Sequence, residues 1–284
     1  MQTLLFLLLF SIPQSLAIMK MIQIYGKVTY GPFPITYSSS TNCESACFKL
    51  DYCILSWQTP EGSCYHYSYL DQSDTISLVK TDKTEGSIVG FKTNITGTSC
   101  PISYTSMNFK MTIPTGDTYS WNKTGNSWSF DGCRDGWKRF DRIDGITVCM
   151  SAFKIPSLRR SHAPTWCSTQ KNATIVGMAS IEESQWVHGQ LSSTYSYYAY
   201  WVDGTLTCKL DTCDYSTLNY TDGFTTGTAA LNLTTNFLVR ASGNSDQVMY
   251  LTVAVLREFA PKTMYPGSGG SAADGVVCGY QLKN

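Results

Sequence analysis

Residues 4–10 form an unbroken apolar run, Leu4 to Phe10, followed by the polar stretch Ser11 to Ser15 and a small-residue site at Leu16-Ala17. This pattern predicts a secretory signal over residues 1–17 with cleavage near Ala17. The run is shorter than the roughly 20 apolar residues a membrane span needs, and no later stretch is long and apolar enough to serve. Further along, Thr41-Asn42-Cys43-Glu44 has the spacing of a capping box and predicts a short helix that puts Cys43 and Cys47 on one face. Alternation from Tyr52 to Trp57, a turn at Thr59-Pro60-Glu61-Gly62 and a second strand from Cys64 to Tyr69 predict a hairpin against that helix.

In the second half, Cys133 to Phe140, an Asp144-Gly145 turn and Thr147 to Met150 read as a hairpin closed by a disulfide between Cys133 and Cys149. A helix is expected from Pro164, carrying Trp166 and Cys167, and another from the capping box Ser180-Ile181-Glu182-Glu183, carrying Trp186. Strands are expected at Tyr197–Val202, Val248–Leu256 and Val276–Tyr280, with a flexible loop at Gly267–Ser271. Residues 98–130, rich in Gly, Pro, Ser, Thr and Asn and low in charge, read as a linker. The domain plan is therefore a signal (1–17), a first domain (18–97), the linker, and a second domain (131–284).

Composition narrows the function. Lysine plus arginine and aspartate plus glutamate number 21 each, so the net charge is zero and the electrostatic footprint of a nucleic-acid binder is missing. Aromatics at 13% against charged residues at 15% argue for ordered, strand-rich structure. Export makes disulfides the expected fate of the 11 cysteines, and no Cys-x-x-Cys pair is present. Helix-to-hairpin reach favours Cys43 with Cys64 and Cys47 with Cys53, although four cysteines allow three connectivities. Cys100 is left over, which points to a disulfide-linked homodimer, an intrachain partner that spacing does not reveal, or a free, buried thiol. Sequons at Asn94, Asn122, Asn172, Asn219 and Asn232 offer N-glycosylation sites.

The helix bearing Cys43-x3-Cys47, the stretch Cys53-Ile54-Leu55-Ser56-Trp57, the pair Cys64-Tyr65 and the closing Ser87-Ile88-Val89-Gly90-Phe91 together resemble the short PAN/apple-like domain over about residues 19–95. The resemblance implies a helix packed on an antiparallel sheet, used for protein or carbohydrate contacts and lacking catalysis. The second half resembles a C-type lectin-like domain of the kind abundant in secreted nematode proteins. It does so through the Cys133–Cys149 hairpin, the helix around Cys167, Tyr200-Trp201-Val202-Asp203-Gly204, the run Tyr220 to Thr228, and Val276-Val277-Cys278-Gly279. That resemblance implies an α+β fold with an outer Cys167–Cys278 bridge, a local Cys208–Cys213 pair in the long loop, and no inner bridge. Without the inner bridge, residues 257–275 are expected to be loosely held.

The lectin family's calcium ligands do not carry over. The corresponding stretch reads Leu231-Asn232-Leu233-Thr234-Thr235-Asn236-Phe237, and the later motif is replaced by Gly243-Asn244-Ser245-Asp246, whereas calcium needs several oxygen ligands. Asp203, Asp211, Asp214 and Asp222 fall together in the long loop and read mainly as turn formers. The aromatic run Tyr195, Tyr197, Tyr198, Tyr200 and Trp201 offers rings for stacking on sugars if one strand face is exposed. Tyr195, Tyr197, Tyr198, Trp201 and Asp203 are the candidate ligand contacts. His66, His162 and His188 lack any catalytic partner motif, Glu182 and Glu183 serve a helix start, and Lys154, Arg159 and Arg160 read as solvated surface. The expectation is a secreted, non-enzymatic protein without cofactors or a membrane span. It would recognise a glycan or glycoprotein, in innate defence, without calcium; the alternative is an extracellular adhesion protein acting by protein contacts alone.

Overall fold

A computed structural model describes residues 17–37, 42–70, 74–96, 107–191, 197–210, 212–239, 245–256 and 262–282. The signal segment, apart from Ala17, and Cys100 lie outside these residues. The chain divides into two units, residues 1–135 and 136–284.

The first unit is built on β1 (Ala17–Tyr30), β2 (Ile35–Tyr37), α1 (Cys43–Lys49), β3 (Cys53–Gln58), β4 (Cys64–Ser68), β5 (Ile76–Lys80) and β6 (Ile88–Thr96). It continues with β7 (Lys110–Thr112), β8 (Thr118–Ser120), β9 (Asn122–Thr124) and β10 (Ser127–Phe130). The sheet runs β2-β4-β3-β6-β1-β5-β10-β9, with β7 and β8 as a separate pair. β1 pairs with β6 from Ala17 to Tyr25 and with β5 from Gly26 to Tyr30. Gly26 sits where the pairing changes, and a Cβ there would lie 3.0 Å from Val89 Cγ2 and 3.1 Å from the Val79 carbonyl oxygen. A larger residue would push the two neighbouring strands apart at this point.

α1 forms where the spacing predicts it, but Asn42 is the N-cap residue and no side chain caps it. Two disulfides, Cys43–Cys64 and Cys47–Cys53, tie the helix to the hairpin in the pairing that reach favours. Both faces of β3 are covered, with Ile54 and Leu55 fully buried.

The described part of the stretch read as a linker, residues 107–130, carries four short strands and contributes to the first unit's core. Phe91 stacks on Phe109 at 3.9 Å, meets Trp121 edge-on at 5.1 Å and lies 5.8 Å from Trp128. Phe109, Trp121, Trp128 and Phe130 are all buried. Pro114, Gly116 and Gly125, which looked like part of a flexible junction, instead sit in tight turns between short strands, at Ile113–Gly116 and at Gly125.

The second unit contains β11 (Lys138–Asp141), β12 (Thr147–Arg159), α2 (Ala163–Lys171), β13 (Thr174–Ile175), α3 (Ile181–Gln190) and β14 (Tyr197–Lys209). β15 (Thr212–Asn219), β16 (Gln247–Leu256), β17 (Met264–Gly267) and β18 (Ala272–Gln281) follow. The sheet order is β11-β12-β18-β14-β16-β17, so the last strand lies at the centre beside the unit's first long strand. β18 pairs antiparallel with β12 and parallel with β14. Gly275 makes this crowding possible, since a Cβ there would fall 2.1 Å from the Phe153 carbonyl oxygen and 2.7 Å from the Tyr200 ring.

The Cys167–Cys278 disulfide joins α2 to β18, and Cys208–Cys213 closes the β14–β15 hairpin. Cys133 and Cys149 are each disulfide-bonded. The Ser180 hydroxyl accepts from the Glu183 amide and caps α3, whereas the Glu183 carboxylate turns to the Ala179 amide.

Among the described residues after 257, the expected looseness is not found. Residues 264–267 form an antiparallel ladder with Tyr250–Val253, and Met264 is fully buried. The Thr263 hydroxyl is 2.7 Å from Asn236 Oδ1 and 3.1 Å from Ser184 Oγ, both buried. A strand ladder and a satisfied polar cluster hold this segment without a second bridge.

Replacing Cys167 and Cys278 together by serine removes a closure across 111 residues, a loss of about 4–5 kcal/mol in the chain-entropy treatment. Denaturant unfolding of the double variant is expected to show a reduction of that order, and an unchanged midpoint would refute it.

Candidate recognition surfaces

β14 is a central strand, and alternation along it sends side chains into two separate cores. Tyr198, Tyr200, Val202 and Leu206 enter one, with Val187 of α3 and Phe237. Ala199 and Trp201 enter the other, with Ala163 and Cys167 of α2 and Val276. Tyr198 is 3% exposed and Trp201 1%, and the Trp201 indole donates to the Leu158 carbonyl at 2.8 Å. These rings therefore do not form a stacking platform. The reading failed because it assumed one solvated face, whereas helices and loops cover both faces of this strand. Tyr195 and the Tyr197 side chain lie outside the described residues.

Asp203, the fifth candidate contact, is fully buried. Its carboxylate accepts from the Thr221 amide, from Thr221 Oγ1 at 2.8 Å and from the Asp222 amide at 2.9 Å, and pairs with Arg160 Nη2 at 3.2 Å. Arg160 is thus buried, 7% exposed, and not part of a solvated patch with Lys154 and Arg159. Its guanidinium lies 5.0 Å over the Tyr250 ring. Asp203 is an anchor for the long loop and makes no contact with solvent.

Asp222 continues the anchor. It accepts from the Gly177 amide at 2.8 Å and from the Phe224 and Thr225 amides, closing the turn expected of it. Asp214 likewise caps a turn, through the Ser216 amide and hydroxyl. Asp211 is outside the described residues.

The residue that sequence reasoning missed is Arg142. All of its donor directions are filled, by Glu183 Oε1 and Oε2 at 2.8 and 3.1 Å, by the Phe224 and Gly177 carbonyls, and by Thr225 Oγ1. Arg142 and Glu183 side chains are 3% and 1% exposed, so the pair is buried and fully hydrogen-bonded. An arginine in the turn of a hairpin reads as surface. Its signal lay in the pairing with a capping-box glutamate far along the chain, and local patterning cannot show that.

Other candidates are committed to packing. The His66 ring nitrogen lies 2.9 Å from the Cys43 carbonyl oxygen and 3.5 Å from Cys64 Sγ, in a buried site. Burial holds its pKa below the usual imidazole value, against the raising effect of the Cys43 carbonyl. Among the described residues, Cys43, Cys64 and His66 form the one group of three metal-type ligands within reach of each other, and both sulfurs belong to a disulfide. Burial also lowers the His188 pKa.

Two cavities combine polar edges with apolar floors. In the first unit, about 480 Å³ is enclosed by Gln23, Ile24, Tyr25, Lys80, Thr81, Asp82, Lys83 and Ile88. Thr81 is 6% exposed, and its buried hydroxyl has no hydrogen-bond partner among the described residues. In the second unit, about 260 Å³ lies between the β11–β12 turn, the start of α3 and Thr226–Ala229. Arg142 and Glu183 line it but have already spent their polar atoms on each other.

Residues 21–93 match the PAN-like domain family. The match takes in the helix, both its disulfides and the whole of the 480 Å³ cavity. PAN domains are extracellular modules that make protein or carbohydrate contacts. No curated protein matches the chain. Among the described residues, no helix is long and apolar enough to cross a membrane.

Two measurements follow. Arg142→Ala leaves the Glu183 carboxylate buried without its partner and is expected to cost about 3–5 kcal/mol in equilibrium unfolding, whereas the double replacement Arg142→Met with Glu183→Leu costs less. For His66, a folded-state pKa below the unfolded value means that the unfolded chain binds the extra proton first. The first unit's stability is then level above about pH 6.5 and falls as the pH drops below it. A His66→Asn variant that keeps the same acid slope would remove the histidine as its source.

Proposed function

We propose that the protein is an exported, non-enzymatic recognition protein whose PAN-like unit makes the extracellular contact. The observation that carries this reading is the PAN-like match together with its two helix-to-hairpin disulfides, which fit an oxidising compartment. The contact is assigned to the cavity at Gln23, Tyr25, Thr81, Asp82 and Lys83. An apolar wall with polar residues and an ammonium at the rim suits a glycan or the glycan of a glycoprotein, which presents hydroxyls beside apolar ring faces.

We also read the second unit as C-type lectin-like. Three features support this: the adjacency of its first long strand to its last, the α2-to-β18 disulfide, and a long excursion between β14 and β16 bearing its own short disulfide. Calcium has no part in this reading, because Asp203, Asp214 and Asp222 already serve their own chain. Burial of Tyr198 and Trp201 favours the second reading, in which extracellular partners are held by protein contacts alone.

The deciding experiment is a glycan array on the secreted protein, with calcium and with a chelator, repeated for Lys83→Glu and Thr81→Val. Binding that survives the chelator and falls about tenfold in Lys83→Glu supports the cavity. Binding lost in chelator overturns the calcium-free reading, and no binding in either condition moves the function to protein contacts.

A further inference from the structure

We propose that Asn232 carries an N-linked glycan whose first N-acetylglucosamine residue is seated in the cavity beside it, against the ring of Tyr215. The inference rests on the reading that the chain is exported.

The cavity is a shallow, open depression of about 430 Å³ lined by Tyr215, Thr228, Ala229, Leu231, Asn232 and Leu233. Asn232 therefore borders it directly, and Asn232-Leu233-Thr234 is a sequon. The local backbone fixes the amide. Asn232 Oδ1 accepts from the Thr234 amide at 2.9 Å and the Thr235 amide at 3.1 Å, while its backbone carbonyl accepts from the Asn236 and Phe237 amides. With Oδ1 turned into this turn, Nδ2, the atom that bears the sugar, is left on the outer side of an exposed residue. N-glycosylation replaces one hydrogen on Nδ2 and leaves the carbonyl oxygen as an acceptor, so attachment disturbs none of these bonds.

The opposite wall is rigid. The Tyr215 hydroxyl donates to the Leu231 carbonyl at 3.2 Å, and its ring meets Phe237, which is fully buried, edge-on at 6.3 Å. Leu233 is 51% exposed at the rim. A pyranose presents an apolar face of C–H bonds and, in this sugar, an acetamido methyl group. Those surfaces suit an aromatic ring and an exposed leucine, and the Thr228 side chain offers a hydroxyl at the edge. A seated sugar would shield this part of the long loop from other ligands.

The test uses the full chain secreted from glycosylating eukaryotic cells. Site-resolved mass spectrometry is expected to show Asn232 occupied, and nuclear Overhauser contacts are expected between the acetamido methyl and the Tyr215 ring. Endoglycosidase trimming to one N-acetylglucosamine should preserve the thermal midpoint. Thr234→Ala, which removes the sequon while keeping Asn232 and its turn, should lower the midpoint by about 2–4 °C, and Thr234→Ser should not. Glycans at other sequons with Asn232 empty would overturn the inference while leaving export intact. A chain that is neither secreted nor glycosylated anywhere would overturn the export reading itself. An occupied Asn232 without the ring contact, and with an unchanged midpoint in Thr234→Ala, would overturn the seating.

Discussion

A fully buried carboxylate has to be neutralised and have its lone pairs filled, and in the second unit Asp203 sets that requirement. Arg160 supplies the charge from the end of β12, and Thr221 and Asp222 supply the donors from the long loop. Asp222 in turn fixes Gly177 and Thr225, and Thr225 receives Arg142, whose other donors go to Glu183 at the start of α3. One chain of charge-assisted bonds thereby links β12, β14, the β11–β12 turn, α3 and the long loop. The segment that looks most irregular in this unit is held from within. Asp203 and Asp222, two of the acidic residues that could have formed an ion site, are consumed in holding it.

The first unit solves the same problem of order with rings. Phe91 on β6 is surrounded by Phe109, Trp121 and Trp128, all from residues beyond the PAN-like match. The matched region thus shares its core with the strands that follow, and the unit closes only near residue 135. The two disulfides hold α1 to the hairpin on one part of the sheet. The aromatic cluster fills the layer to which the later strands contribute.

Much of this was legible in the sequence because its cues are local. Capping chemistry located α3, turn residues located the hairpin at Gly145, and helical spacing with reach favoured the Cys43–Cys64 and Cys47–Cys53 pairs. What stayed hidden depends on contacts distant in sequence. Alternating aromatics look alike on an edge strand and on a central one, so the burial of both faces of β14 follows only from knowing that β18 and β16 flank it. The linker reading failed for a related reason. Turn-forming residues between short strands have the composition of a flexible junction, and only the inward Phe109, Trp121 and Trp128 distinguish the two.

Where an outside partner can be met follows from what the interior has left unspent. Arg142 and Glu183 are saturated by each other and their own chain, the Asp203 carboxylate is filled by Arg160 and the long loop, and Tyr198, Tyr200 and Trp201 of β14 are in the cores. With zero net charge, no long-range field selects a partner, so recognition has to come from shape and a few placed polar groups. The first unit's cavity has both, a pocket lined by Ile24, Tyr25 and Ile88 with Lys83 exposed at its rim. In the second unit the Arg142–Glu183 pair and the Asp203 carboxylate have no such group left to offer, since each is bonded within its own chain.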